Sequence, residues 1–143
     1  MIKALGIVLV IIAILVGVIP AFNNCSAEGL FITTADGRQI DMKCFWTSRA
    51  EIGVAVPLGI AGLFIALSRR KETQGMLAFL TGLLSAGALA LPTVLIGVCA
   101  MDKSCSNVMR PSLIVLGVLG IIVSAVILAL SQRHTDNDAA AAV

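Results

Sequence analysis

The chain has 143 residues, of which 59% are hydrophobic and 13% are charged, and its mean hydropathy is +1.05. A water-soluble domain is about a quarter charged, so this composition excludes an ordinary soluble globular domain. The formal net charge is only +2, which indicates no nucleic-acid partner and leaves the lipid bilayer as the expected surroundings.

Long apolar segments without Lys, Arg, Asp or Glu dominate the sequence. Spanning the hydrocarbon core of a membrane takes roughly 20 mostly apolar residues. The segments that meet this requirement are 4–22, 52–68, 76–98 and 112–130. They predict an all-α membrane protein, a four-transmembrane-helix bundle that forms a single domain over residues 1–131.

The first segment also fits a secretory signal peptide, because Lys3 precedes its apolar run. Ile19-Pro20-Ala21 is a poor small-x-small cleavage site, so we expect a retained helix. The remaining chain would form two external loops, 23–51 and 99–111, and a disordered cytoplasmic tail, 132–143.

Basic residues near helix ends predict the orientation, because Lys and Arg tend to remain cytoplasmic. Five basic residues fall on each side of the predicted spans, but Arg69, Arg70 and Lys71 crowd one short loop. We therefore expect a multi-pass protein of the cell membrane with both termini in the cytoplasm.

Each predicted helix carries a stripe of small residues. In the third helix the stripe has strict four-residue spacing and consists of Ala78, Gly82, Ala86 and Ala90. Small residues let membrane helices approach closely. The stripes therefore predict packing within the chain, with contacts in a homo-oligomer as the alternative.

The first external loop predicts a small extracytoplasmic β-hairpin cap over the helix ends. Asp36-Gly37 is a typical type I′ turn, in which both residues have positive φ. Such a turn would place Thr33 opposite Ile40 and Phe31 opposite Met42.

All four cysteines fall in or beside the predicted external loops, at positions Cys25, Cys44, Cys99 and Cys105. Paired cysteines persist in oxidising compartments, so we expect disulfide bonds. Four cysteines allow three pairings. Pairing within each loop is simplest, whereas pairing between loops would lock the end of the bundle more firmly.

Two alternatives assign other chemistry to these sulfur atoms. Thiolate and thioether ligands select Cu(I), and the candidate ligands of such a site are Met42, Cys44, Cys99, Met101, Cys105 and Met109. A thiol–disulfide redox protein is the other alternative, although the Cys-x-x-Cys pair that lowers a thiol pKa does not occur in the sequence. An oxidised cysteine is not a thiolate ligand, so disulfides and the metal site exclude each other.

Four residues are candidates for the membrane interface or a contact surface: Phe45, Trp46, Glu51 and Arg110. Trp is common where membrane helices meet water. An acidic group at membrane depth is costly unless it is paired, so we expect Glu51 to pair with Arg110. No catalytic, phosphate-binding or zinc motif occurs, and we expect neither an enzyme nor a resident cofactor.

Three stretches carry a resemblance to a known family: 42–53 (MKCFWTSRAEIG), 91–99 (LPTVLIGVC) and 109–111 (MRP). They resemble an uncharacterised bacterial family of small four-helix integral membrane proteins, a domain of unknown function. Its members often accompany export-type ABC transporters. The resemblance implies an accessory or structural subunit of a larger membrane complex.

Overall fold

The computed structural model describes residues 1–23, 29, 31–33, 36–41, 43–68, 70–96 and 105–140, with the exception of some side chains inside these ranges. This part of the chain is mostly helical. Its elements in chain order are α1 Ile2–Phe22, β1 Phe31–Thr33, β2 Gln39–Asp41, α2 Lys43–Leu67, α3 Lys71–Ala90, a first π-helical segment Leu91–Leu95, a second π-helical segment Cys105–Met109, and α4 Arg110–Ala140.

Four helical stretches of the described residues are long and apolar enough to cross a membrane. They are Ile2–Phe22, Phe45–Leu67, Glu72–Leu95 and Asn107–Gln132. Within each stretch, only 28% to 33% of an apolar 18-residue window is buried inside the chain, and large apolar side chains cover much of the outward surface. The prediction of four helices that are long and apolar enough to cross a membrane is therefore confirmed.

All four helices begin before their predicted first residues, and the two largest extensions are in α2 and α4. The first, α2, begins at Lys43 rather than at residue 52, because charged residues end an apolar run without ending a helix. The other, α4, continues to Ala140, into the segment 132–143 for which the composition predicts disorder.

Close glycine contacts join the helices into two antiparallel pairs, α1 with α2 and α3 with α4. A Cβ atom on Gly62 of α2 would stand 3.1 Å from the Cβ atom of Leu9 in α1. A Cβ atom on Gly117 of α4 would stand 3.2 Å from the carbonyl oxygen of Ser85 in α3. The expectation that small residues serve packing within the chain is confirmed at these contacts.

The helix pairs assemble around two hydrophobic clusters, one toward each end of the bundle. We call the end at which α1 finishes and α2 and α4 begin the hairpin end. The hairpin-end cluster consists of Ile12, Val16, Ala55, Ala88, Met109, Leu113 and Leu116. The cluster at the opposite end consists of Leu9, Ile65, Ala78 and Ile127.

The strand structure of the described residues is a single short ladder of three residue pairs. Phe31 pairs with Asp41, Ile32 with Ile40 and Thr33 with Gln39, so the predicted register is wrong by one residue. A type I′ turn needs positive φ at both central residues, whereas Gly37 has a φ of +76° and Asp36 does not have a positive φ. Ile40 is 51% exposed, so this strand residue does not pack over the helix ends as expected.

The π-helical geometry after α3 has a local cause at Pro92. Proline has no N–H group and cannot donate to the carbonyl four residues earlier. The backbone widens here, and the N–H group of Ile96 donates to the carbonyl oxygen of Leu91, five residues earlier, at 3.1 Å. The Thr93 hydroxyl donates to the carbonyl oxygen of Leu89 at 2.7 Å, which adds a side-chain bond to this weakened stretch of backbone.

Candidate functional site

The backbone brings two of the four cysteines to the hairpin end. Cys44 lies in the first turn of α2, and Cys105 begins the second π-helical segment. Their side chains, and all of Cys25 and Cys99, lie outside the described residues. The disulfide bonds therefore stay a prediction, and their pairing stays open.

Of the candidate soft-metal ligands, some also lie outside the described residues. Met42 and Met101 lie outside the described residues. Met109 is fully buried in the hairpin-end cluster, among aliphatic side chains. Its side chain therefore contributes to the helix packing at this end of the bundle. Within the described ranges, His, Cys, Asp and Glu form no group of three that could hold a metal ion.

An aromatic and cationic group stands at the start of α2. The ring centroids of Phe45 and Trp46 lie 5.7 Å apart at 80°, an edge-to-face arrangement. The Arg49 guanidinium carbon lies 5.1 Å from the Phe45 ring centroid, within the range of a cation–π interaction. Trp46 is 59% exposed, so its indole is available to a membrane interface.

Glu51 occupies a different position from the one predicted. Its side chain is 0% exposed, whereas Arg110 at the start of α4 is exposed. Both carboxylate oxygens of Glu51 are buried without a hydrogen-bond partner in the described part of the chain. The expected ion pair between Glu51 and Arg110 is therefore wrong, because the helical phase turns Glu51 into the bundle and leaves Arg110 on its surface.

Two hydroxyl contacts inside the bundle were not predicted from the sequence. The Ser48 hydroxyl donates to the carbonyl oxygen of Pro20 at 3.0 Å and links α2 to the end of α1. The hydroxyl oxygens of Thr81 and Ser124 lie 3.0 Å apart across the α3–α4 contact. The sequence signal for such contacts is a Ser or Thr inside an apolar segment. A buried hydroxyl group needs a hydrogen-bond partner, so these residues are candidates for contacts between helices.

An apolar groove runs along the outer surface of the α1–α2 pair, with a volume of about 590 Å³. Small residues from both helices line its middle: Ala13, Gly17, Ala55 and Gly59. Larger side chains, among them Val18, Val56 and Leu63, line the rest. The whole lining is apolar, so the groove can accept another helix or a lipid chain.

The comparisons with known proteins identify a family. A family model described as "Domain of unknown function (DUF4418)" matches residues 4–130, which include all four membrane spans except their outermost residues. No curated protein and no solved structure matches the chain. The match covers most of the sequence, and the chain, a multi-pass integral membrane protein, therefore belongs to the family of the domain of unknown function DUF4418.

Proposed function

We propose that this protein is a non-enzymatic membrane subunit with an accessory or structural role in a larger complex, such as an ABC-type exporter. The observation that carries the proposal is the apolar groove on the α1–α2 pair. Its occupant in the complex is a transmembrane helix of another protein.

The lining of the groove favours a helix as this occupant. Helices in lipid associate through close packing, which small residues permit. Ala13 of α1 meets Gly59 of α2 and Gly17 of α1 meets Ala55 of α2 where the two helices touch beneath the groove, since a Cβ atom on either glycine would stand 3.4 Å from the facing alanine Cβ atom. A partner helix that packs over these small residues can approach the backbones of both α1 and α2 closely. A flexible acyl chain does not need small residues beneath it.

The chemistry of the sequence supports a role without catalysis. No catalytic motif occurs in the chain, and the groove offers only apolar side chains. Such a surface holds a partner by shape and dispersion contacts. The resemblance to proteins that accompany export-type ABC transporters points to the same kind of partner.

Photocrosslinking from the groove tests this proposal. A photoreactive amino acid replaces Val56, which lines the groove and is 57% exposed. The control position is Val126 of α4, a valine of similar exposure, 42%, away from the groove. In native membranes, we expect Val56 to crosslink to one other membrane protein and Val126 to crosslink to lipid.

A bulky substitution provides the second half of the test. Val56→Trp fills the groove and should dissociate the complex on native gels, whereas Val126→Trp should leave it intact. Crosslinks from Val56 to lipid alone would refute the proposal. Crosslinks to a second copy of this chain would identify a homo-oligomer and would equally contradict an accessory role.

A further inference from the structure

Glu51 is an acidic side chain buried inside a membrane span. It lies in the stretch Phe45–Leu67, in the third turn of α2. The side chain is 0% exposed, and neither carboxylate oxygen has a hydrogen-bond partner among the described residues. A carboxylate in lipid surroundings is normally paired and is a functional candidate by default.

The residues one helical turn before and after Glu51 on α2 offer its carboxyl group no hydrogen-bond partner. One turn later on the same face, Ala55 belongs to the hairpin-end cluster, which is entirely apolar. One turn earlier, the Ser48 hydroxyl uses its proton to bond the carbonyl oxygen of Pro20. Glu51 therefore stands where the polar end of the bundle meets its apolar interior.

The cationic side chains described near the hairpin end do not neutralise this carboxyl group. On α2 itself, Lys43 is exposed and Arg49 lies on the outside against Phe45. On α4, Arg110 is exposed. Each of these charges therefore faces away from the interior position that Glu51 occupies.

The other helical elements of the bundle carry no charged side chain at the hairpin end in the described ranges. The charged residues of α1 and α3 lie in their first turns, at the opposite end of the bundle. The first π-helical segment, LPTVL, has no charged residue. The titratable side chain of Cys105 in the second π-helical segment, and the loop residues Asp102 and Lys103, lie outside the described residues.

An irregular stretch of backbone contacts the helix that carries the buried carboxyl group. The first π-helical segment packs against α2 and contains the buried Pro92. Segments of π-helix inside α-helices occur frequently at functional sites. At membrane depth, irregular backbone is tolerated where it is buried in protein or lines a cavity.

We propose that the Glu51 carboxyl group is a membrane-embedded proton-binding site, at which the bound proton keeps the side chain neutral. A proton suits the site better than a metal ion. Calcium takes about six to eight oxygen ligands and magnesium an octahedral set, whereas Glu51 belongs to no group of three His, Cys, Asp or Glu side chains in the described ranges that could hold a metal ion. This inference does not depend on the proposed accessory role, because it concerns the interior of the bundle and not the groove.

Infrared spectroscopy of the full-length protein in lipid vesicles at neutral pH tests the proposal. Glu51→Gln keeps the shape of the side chain and removes the acid. We expect the wild-type spectrum to contain the carbonyl band of a protonated carboxyl group, and we expect Glu51→Gln to lose it. A difference spectrum that contains only carboxylate bands would overturn the proposal.

A lipid-soluble carbodiimide gives an independent measurement. The carboxyl proton moves to one carbodiimide nitrogen while the carboxyl oxygen bonds the central carbon, so the reagent modifies the protonated acid. We expect one adduct, located at Glu51 by mass spectrometry, which Glu51→Gln lacks. A water-soluble carbodiimide should instead modify exposed residues such as Asp36. Equal modification of Glu51 and Asp36 by the water-soluble reagent would refute a buried acid.

Lys103→Gln separates the proposal from an ion pair with the second external loop. If Glu51 binds a proton, removing the Lys103 charge leaves both the infrared band and the labelling at Glu51 unchanged. If the carbonyl band appears only in Lys103→Gln, Glu51 is an ion-pair partner in the native protein and the proposal is wrong.

Discussion

Gly6 in α1 lies against the backbone of α2 at Ala66. A Cβ atom on Gly6 would stand 2.8 Å from the amide nitrogen of Ala66 and 3.0 Å from the carbonyl oxygen of Gly62. Cβ atoms essentially never approach non-bonded heavy atoms within 3.0 Å, so the two helices meet this closely only because position 6 has no side chain. In lipid, close packing of this kind is a main source of helix association.

Gly6→Ala should destabilise the protein. The added methyl group meets backbone rather than a flexible side chain, so α1 and α2 must separate. Overpacking of this kind typically costs about 1–3 kcal/mol, measured as the free energy of unfolding in mixed micelles. Gly53→Ala in α2 is the control, because a Cβ atom there meets nothing within 4 Å. Equal stability of the two variants would contradict the close contact.

Gly120→Ala should disrupt the α3–α4 pair in a way that a second substitution repairs. A Cβ atom on Gly120 would stand 2.9 Å from the Cβ atom of Ser85 and still closer to its hydroxyl oxygen. Removing the Ser85 side chain creates space for the new methyl group. We expect Ser85→Gly to recover most of the lost unfolding free energy in the double variant. Additive losses would show that the two residues do not share this space.

The hydroxyl pair between Thr81 and Ser124 should contribute a small coupling energy. A double-mutant cycle with Thr81→Val and Ser124→Ala measures the interaction directly. Hydrogen bonds between membrane helices average about 0.6 kcal/mol in such cycles, and we expect a coupling of that size. Thr93, whose hydroxyl bonds within its own helix, provides the control, since Thr93→Val should not couple to Ser124→Ala.

The predicted disulfides determine how many thiols are free. In protein isolated under non-reducing conditions, a thiol-reactive label should modify none of Cys25, Cys44, Cys99 and Cys105. Four free thiols that become protected by Cu(I) would instead support the soft-metal site. A labelled fraction that changes with redox potential would support thiol–disulfide exchange.

The predicted orientation places the cysteine-bearing loops outside the cell. After mild external reduction of intact cells, a membrane-impermeant thiol reagent should therefore modify Cys25 or Cys99, as located by mass spectrometry. The control is Ser68→Cys, which introduces a thiol in the connection between α2 and α3, at the opposite end of the bundle. This cysteine should react only after lysis, and the reverse pattern would invert the topology.

The extent of α2 shows where hydropathy ceases to predict structure. Arg49 and Glu51 interrupt the apolar run, and the predicted helix begins after them at residue 52. In the structure the same residues are helical, with Arg49 against the outer face of Phe45 and Glu51 inside the bundle. Hydropathy averages over all sides of a helix, so it cannot distinguish a charged residue on the surface from one in the interior.

In the hairpin, the sequence predicted the position of the turn but not the register of the strands. Asp36-Gly37 correctly located a turn, because Gly37 adopts the positive φ that glycine tolerates. The register was wrong because it assumed positive φ at Asp36 as well. Turn type sets which residues face each other, and two residues of sequence do not specify the turn type.

The sequence by itself determined that the chain forms four helices long and apolar enough to cross a membrane, because each helix needs its own long apolar segment to span lipid. It also located the small residues that permit close packing. Only the tertiary structure decided which helix each glycine meets, that the Glu51 carboxyl group faces inward without Arg110, and that a groove remains open on the α1–α2 pair. These features depend on the rotation of each helix about its axis, which the neighbouring helices set.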